Sequence, residues 1–141
     1  GKIFVRDDAG RRAGIHIKEF KGKKPVVVIG GTAQDFLAEY MAGGILILLG
    51  LTLKEGQPHA AGLIGTGMHG GVIYVRGTVE DHQLGKEVGR AELDEREMLE
   101  LRGYVSEFAG HFGRSADEIL SREFTKLSPL HFQSGGRLYA Y

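Results

Sequence analysis

Two glycine-flanked apolar segments decide the fold of this chain: MAGGILILLG at residues 41–50 and MHGGVIYVRG at residues 68–77. Both read Met-x-Gly-Gly, then a run of apolar residues, then a closing glycine. Shorter forms of the pattern stand at GKIFVRD, residues 1–7, and PVVVIG, residues 25–30. Repetition on this scale indicates stacked units of one supersecondary type. The segments are therefore predicted to be parallel strands, with a further short strand at residues 14–17.

Side chains alternate between the two faces of a strand, so the repeat also predicts which residues point inward. The inner columns are Ile3, Val26, Leu46 and Ile73, and Val5, Val28, Leu48 and Val75. The outer column is also apolar, with Phe4, Val27, Ile29, Ile47, Leu49 and Tyr74. An apolar outer column predicts that other elements cover it.

The link between the two longest segments separates two candidate fold classes. A parallel-sheet α/β protein also has continuously apolar strands, but it needs a helix between them. Residues 50–71 are rich in glycine and contain Pro58, which disfavours a helix there. The predicted fold class is mainly β: a right-handed parallel β-helix (a solenoid) followed by C-terminal α-helices packed on it.

The sequence changes character after about Thr78. Asp94 and Glu97 have the spacing of a capping box. Behind them, one apolar helix face is formed by Met98, Leu101, Val105, Phe108 and Phe112. Gly110 and Gly113 bracket its end, and Ser115 begins a second, shorter helix that carries Ile119, Leu120 and Phe124. The predicted division is a β-helix over residues 1–78 and a helical appendage with an extended C-terminal tail over residues 79–141.

Composition narrows the possible functions. Lys plus Arg and Asp plus Glu are both 18, so no overall basic field predicts binding to nucleic acid or to a membrane surface. The chain has no cysteine, which excludes disulfides, Cys-ligated zinc, Fe–S ligation and a cysteine nucleophile within it. No apolar run is long enough to span a bilayer. These features favour a cytoplasmic protein.

The glycines at Gly65, Gly67 and Gly70 match the dinucleotide-binding pattern GxGxxG. That pattern needs a helix after the glycines, so that the pyrophosphate meets the helix N-terminus. Here they lead into Val72 and the β-branched and aromatic residues that follow, which predict a strand. A structural role for these glycines is favoured over a nucleotide-binding loop.

The histidines and carboxylates predict no catalytic or metal site. The six histidines (His16, His59, His69, His82, His111 and His131) show no compact metal-ligand spacing. His59 and His69 could meet across a loop, but surface positions are favoured. Asp35 and Glu39 could form a carboxylate pair, and a solvated or capping role is favoured for both. No Ser-His-Asp signature is present.

Residues 26–50, VVVIGGTAQDFLAEYMAGGILILLG, and residues 59–77, HAAGLIGTGMHGGVIYVRG, resemble the C-terminal GXGXG domain of the glutamate synthase large subunit. The resemblance covers about residues 1–77 well. It departs from the family pattern in the extra residues 63–66 and in the lack of the family's earlier coils before Gly1. The glycines it implies to be structural are Gly43, Gly44, Gly50, Gly62, Gly67, Gly70, Gly71 and Gly77.

The resemblance implies a non-catalytic scaffold or coupling role. Glutamate synthase makes glutamate from glutamine and 2-oxoglutarate, with a cysteine glutaminase in one domain and FMN with an Fe–S cluster in another. The GXGXG domain carries neither, so no cofactor is expected on this chain and its expected partners are the glutaminase and FMN/Fe–S synthase parts. A second resemblance, to the β-helical subunit of formylmethanofuran dehydrogenase, leaves that complex open. An independent nucleotide-binding enzyme and a free-standing carbohydrate-active β-helix are the alternatives of other classes.

The first recognisable strand, residues 2–6, predicts an open edge. An unpaired strand presents free N–H and C=O groups, which other chains can pair with. Phe4 places apolar surface beside that edge. We therefore expect a partner there, either a second copy of this chain or a companion glutamate synthase subunit.

Overall fold

The computed structural model describes residues 1–130, and within them the chain forms one sheet, two α-helices and a single 3₁₀ turn. The strands are β1 (Lys2–Val5), β2 (Val26–Ile29), β3 (Ala42–Leu48), β4 (Gly70–Arg76), β5 (Val88–Ala91) and β6 (Phe124–Pro129). The helices are α1 (Glu95–Phe112) and α2 (Ala116–Ile119), and the 3₁₀ turn is Asp81–Gln83.

The prediction of a right-handed parallel β-helix is wrong. The six strands form a single open, mixed sheet in the order β1-β2-β3-β4-β6-β5. The repeat did identify β1 to β4, which pair in parallel, but β6 is antiparallel to both β4 and β5. The prediction failed in the segments outside the repeat. The segments that connect β1, β2, β3 and β4 form turns and not further strands, and the C-terminal part adds β5 and β6 to the sheet.

The strand register differs from the predicted columns by one residue in β2. Leu46 aligns with Ile73 as predicted, but its partner in β2 is Val27 and not Val26. A shift of one residue turns every side chain of a strand to the other face. Val26 and Val28 therefore face the helices, while Val27 and Ile29 face the opposite side.

Each face of the sheet carries its own apolar cluster. On one face, α1 packs Leu101, Val105 and Phe108 against the buried side chains of β2, β3 and β4. On the other face, the long connecting segments cover Leu46 and Ile73 with Leu37, Met41, Ile64 and Met68, among others. The expectation that helices cover the apolar outer column is confirmed for Phe4, Ile47, Leu49 and Tyr74.

The helix predictions are confirmed at their ends. Asp94 and Glu97 form the capping box of α1, and Gly113 ends the helix with a left-handed φ of 65°. Ser115 caps α2 through the N–H of Glu118. Phe124 begins β6 instead of extending the second helix. None of the helices in residues 1–130 has the length and apolar character needed to cross a membrane.

The predicted extended tail begins with a strand. Residues 124–129 form β6 between β4 and β5, with Leu127 fully buried. The rest of that tail, residues 131–141 with His131, lies outside the described residues.

Candidate functional site

Three turns on the side of the sheet opposite α1 share an unusual backbone pattern, with a positive φ at every second residue. We call them the left-handed turns: turn 1 is residues 12–16, turn 2 is residues 36–40 and turn 3 is residues 63–67. Their φ angles are 58°, 71° and 58° at Arg12, Gly14 and His16; 63°, 60° and 56° at Phe36, Ala38 and Tyr40; and 53°, 73° and 72° at Leu63, Gly65 and Gly67. The short strand predicted at residues 14–17 is therefore wrong, because these residues belong to turn 1.

The left-handed turns are hydrogen-bonded to one another through their backbones. The N–H of Arg12 donates to Asp35 O at 3.0 Å, and the N–H of His16 donates to Glu39 O at 2.9 Å. Turn 2 makes the same bonds to turn 3, from Phe36 N to Gly62 O at 3.0 Å and from Tyr40 N to Thr66 O at 2.8 Å. Since non-glycine residues in this conformation cost about 1–2 kcal/mol each, these bonds and the packing beneath must hold the backbone in place.

The middle residue of each left-handed turn points into the core. Ala38 is fully buried in the apolar cluster. A Cβ at Gly14 would lie 2.6 Å from Leu46 Cδ1, and one at Gly65 would lie 2.6 Å from Val88 Cγ2. The core therefore admits no more than a methyl group in this column, and only at turn 2.

The outer residues of the left-handed turns present a ladder of aromatic and cationic groups. The Arg12 guanidinium lies 4.4 Å from the centre of the Phe36 ring. The rings of His16 and Tyr40 are stacked with their centres 5.4 Å apart. A Cβ at Gly67 would lie 2.5 Å from the Tyr40 ring, so Gly67 provides the flat backbone against which that ring lies.

Asp35 and Glu39 bind separate partners on neighbouring segments. Asp35 accepts a hydrogen bond from Gly62 N–H at 2.8 Å, and Glu39 pairs with Arg12 while its side chain is only 8% exposed. Each carboxylate thus joins one left-handed turn to the next. Asp35 is exposed, as the favoured solvated role predicts, but the solvated role is wrong for Glu39, which is buried.

His59 occupies a buried site at the end of the parallel strands. Its Nε2 lies 2.8 Å from Arg76 O, which only accepts, so Nε2 is assigned the proton. Nδ1 then accepts from the Thr32 hydroxyl at 2.9 Å. Burial lowers the pKa of His59, and the charge of Arg76 acts in the same direction, although the hydrogen bond to Arg76 O opposes it. The ring is therefore a neutral link between segments, and the favoured surface position for His59 is wrong.

Gln83 binds the backbone of the segment that carries His59. Its side-chain amide is buried and donates from Nε2 to His59 O at 2.7 Å and to Ala61 O at 2.8 Å. His69, by contrast, is exposed, and its ring Nδ1 lies 3.5 Å from Gly67 O. Within residues 1–130, no group of three or more His, Cys, Asp or Glu side chains is arranged to hold a metal ion.

The predicted structural glycines lie around β3, β4 and turn 3. Gly43, Gly44, Gly70 and Gly71 are in the first residues of β3 and β4, and Gly50 and Gly77 follow the ends of these strands. Gly62 precedes turn 3, and Gly67 is its last residue. Gly70 has the closest backbone neighbour, since a Cβ there would lie 2.1 Å from Ala42 O. No helix begins after Gly65, Gly67 and Gly70, because β4 starts at Gly70. This is the arrangement expected for structural glycines and not for a dinucleotide loop.

The ladder on the left-handed turns was not predicted from the sequence. Arg12, Phe36 and Tyr40 are ordinary residue types with no motif of their own. The available clue was Gly65-x-Gly67, because glycines at alternate positions mark alternate positive φ angles. Turns 1 and 2 have positive φ angles at the same alternate spacing, although only Gly14 in them is glycine.

Replacing Gly70 by alanine tests the close approach between β3 and β4. The new Cβ would meet the backbone at Ala42, which cannot move away like a flexible side chain, so we expect a loss of more than about 3 kcal/mol in the free energy of unfolding. The matched control is Gly103→Ala in α1, where a Cβ meets nothing within 4 Å and where we expect a gain of roughly 0.5–1 kcal/mol. Urea unfolding of both variants measures the two effects. Equal effects would contradict the close-packing role of Gly70.

The buried His59 predicts a stability that depends on pH. Its folded-state pKa is lowered, so the unfolded chain binds the proton more readily. The contribution of the neutral ring is complete above the unfolded pKa of about 6.5 and is lost as the pH falls through the lower folded-state pKa. Thermal melts from neutral to mildly acidic pH should show this loss in the wild type, and less of it in His59→Gln. The exposed His82→Gln is the control, and it should retain the wild-type slope.

Comparison with known proteins identifies the chain's relatives. The family model described as GXGXG motif matches residues 1–133. The uncharacterized protein MJ1350 of Methanocaldococcus jannaschii is 43% identical over 137 residues, which cover 94% of this chain. The chain spans about half of that relative's length, 52%. The resemblance to the GXGXG domain of glutamate synthase is thereby confirmed, and the chain belongs to the GXGXG motif family.

Proposed function

We propose that this chain is a non-catalytic structural and coupling component of a glutamate synthase. It would hold the glutaminase part and the FMN/Fe–S synthase part of the enzyme in a fixed relation. The observation that carries the proposal is the family match over residues 1–133 in a chain with no cysteine. Without cysteine, this chain supplies neither the glutaminase nucleophile nor thiolate ligands for an Fe–S cluster.

The packing of the chain supports a role as a rigid spacer. Backbone hydrogen bonds join turn 1 to turn 2 and turn 2 to turn 3. The ion pair of Arg12 with Glu39 also joins turn 1 to turn 2. The opposite face of the sheet is closed by α1, with Phe108 fully buried. A spacer must resist deformation, and close packing on both faces of a sheet gives it that property.

The cofactors and cellular location follow from this proposal. FMN and the Fe–S cluster would be bound by the partner parts and not by this chain. Glutamate would be made in the cytoplasm, with the chain contributing to glutamate biosynthesis and ammonia assimilation through its partners. Neither nucleic acid nor a membrane is part of the proposed assembly.

Reconstitution tests the coupling role. The chain is combined with the glutaminase and FMN/Fe–S parts of a glutamate synthase from the same genome, and three rates are measured. Leaving the chain out should lower glutamine-dependent glutamate formation by about tenfold or more, because ammonia is then lost between the sites. Glutamine hydrolysis and glutamate formation from added ammonia should change little. Full glutamine-dependent activity without the chain, or failure of the three components to associate, would contradict the proposal.

A further inference from the structure

Arg76 is the last residue of β4, and its guanidinium group is fixed at the carboxyl end of the parallel strands. Its Nε donates to Ile119 O at 2.7 Å, and its Nη1 donates to Leu49 O at 3.2 Å. These bonds hold α2 and the end of β3 to β4. The guanidinium group has more N–H donors than these bonds use, so it can also donate to a ligand.

The chain around α2 brings two further arginines to this group. Arg114 lies immediately before the N-cap of α2, a short helix that ends at Ile119, the residue that Arg76 binds. Arg122 lies in the loop from α2 to β6, and the carbonyl group of the next residue accepts a hydrogen bond from Gly77 N–H at 3.4 Å. Because Gly77 follows Arg76 directly, that bond places the loop beside Arg76. The side chains of Arg114 and Arg122 are both exposed.

The charges that act on Arg76 are mostly positive. Burial lowers the pKa of its guanidinium group, and the charges of Arg122 and Arg114 lower it further, whereas Glu118 raises it. These three cations and one carboxylate leave a net charge of +2. Within residues 1–130, none of the three arginines forms an ion pair. Because neighbouring like charges repel, a bound anion would stabilise this arrangement.

We propose that Arg76, Arg114 and Arg122, which we call the arginine cluster, bind a phosphoryl dianion, either free phosphate or the terminal phosphate of a small molecule. Such a group carries about two negative charges near neutral pH, which matches the net charge of the site. Its oxygens accept paired hydrogen bonds from the planar guanidinium fork. This inference goes beyond the proposed scaffold function, which requires no ligand on this chain.

A carboxylate is the alternative ligand, because guanidinium groups bind carboxylates and phosphates with similar geometry. A single carboxylate group carries one negative charge and would leave the site positively charged. A phosphate diester, the group that nucleic acid presents, has the same deficit. Since Coulomb attraction to a net charge of +2 is stronger for a dianion, the charge of the site favours the phosphoryl group.

The test titrates the chain with inorganic phosphate and with methyl phosphate, and follows binding by NMR. The ionic strength is held constant with sodium chloride, because salt screens exposed charges. The Nε–H signal of Arg76 and the backbone amides of Arg114 and Arg122 should shift and saturate. Phosphate should bind at least about tenfold more tightly than acetate or dimethyl phosphate. Equal binding of methyl phosphate assigns the site to a terminal phosphate, and its exclusion assigns the site to free phosphate.

A double variant tests the two exposed arginines without disturbing the fixed one. Arg114→Gln combined with Arg122→Gln should weaken phosphate binding about tenfold or more, while Arg76 keeps its bonds to the backbone. The matched control is Arg96→Gln combined with Arg102→Gln, at exposed positions in the first half of α1. It makes the same change in net charge and should leave binding within about twofold. Circular dichroism verifies that both variants are folded.

A change in the opposite direction tests the contribution of the nearby carboxylate. Glu118→Gln removes the negative charge that offsets the arginine cluster, so phosphate should bind about twofold or more tightly than it does to the wild type. Glu95→Gln makes the same change in net charge at the first residue of α1, at the opposite end of that helix from Arg114. This control should leave the affinity unchanged.

Four results would overturn the inference. They are the absence of saturable shifts at the arginine cluster, binding of acetate or dimethyl phosphate as tight as that of phosphate, binding of the dicarboxylate succinate tighter than that of phosphate, and equal loss of binding in the two double variants.

Discussion

The structure depends on one backbone constraint: three consecutive turns must hold a positive φ at every second residue. Glycine meets this requirement without strain, but of the nine positions only Gly14, Gly65 and Gly67 are glycine. The other six hold side chains in a conformation that L-residues rarely adopt. What holds them is the stack itself, because each turn is hydrogen-bonded to the next and its middle residue is packed over Leu46 and its neighbours.

This constraint links the fold to the proposed role. The left-handed turns bring β1, β2, β3 and β4 into parallel alignment, and the same turns display the ladder in which Arg12 lies over Phe36 and His16 stacks on Tyr40. Of the glycines that match the nucleotide-binding pattern, Gly65 and Gly67 are therefore part of turn 3, and Gly70 begins β4. Among residues 1–130, turn 1 is hydrogen-bonded to turn 2, and turn 2 lies between turn 1 and turn 3.

The sequence predicted the parts of the fold that follow from local chemistry. The capping box at Asp94 and the left-handed Gly113 set the ends of α1, and the repeat located β3 and β4 with their correct register. The sequence could not predict the strand order beyond β4, because β6 inserts between β4 and β5 through contacts that are distant along the chain. The short β2 slipped by one residue because an unbroken run of valines reads equally well in either register. His59 was misjudged for a related reason, since its partners Thr32 and Arg76 come from different segments.

The central claim is tested most directly by placing glycine at a strained position. Leu63 is 46% exposed and has a φ of 53°. The substitution Leu63→Gly therefore removes little packing, and it places glycine at all three positive-φ positions of turn 3. We predict that the free energy of unfolding rises by up to about 1 kcal/mol, the relief of strain less the added freedom of the unfolded chain. The same substitution at Leu99, which is 70% exposed in α1, should lower it by about 1 kcal/mol. If Leu63→Gly lowered the free energy of unfolding as much as Leu99→Gly does, the left-handed turns would not be the strained constraint on which this account depends.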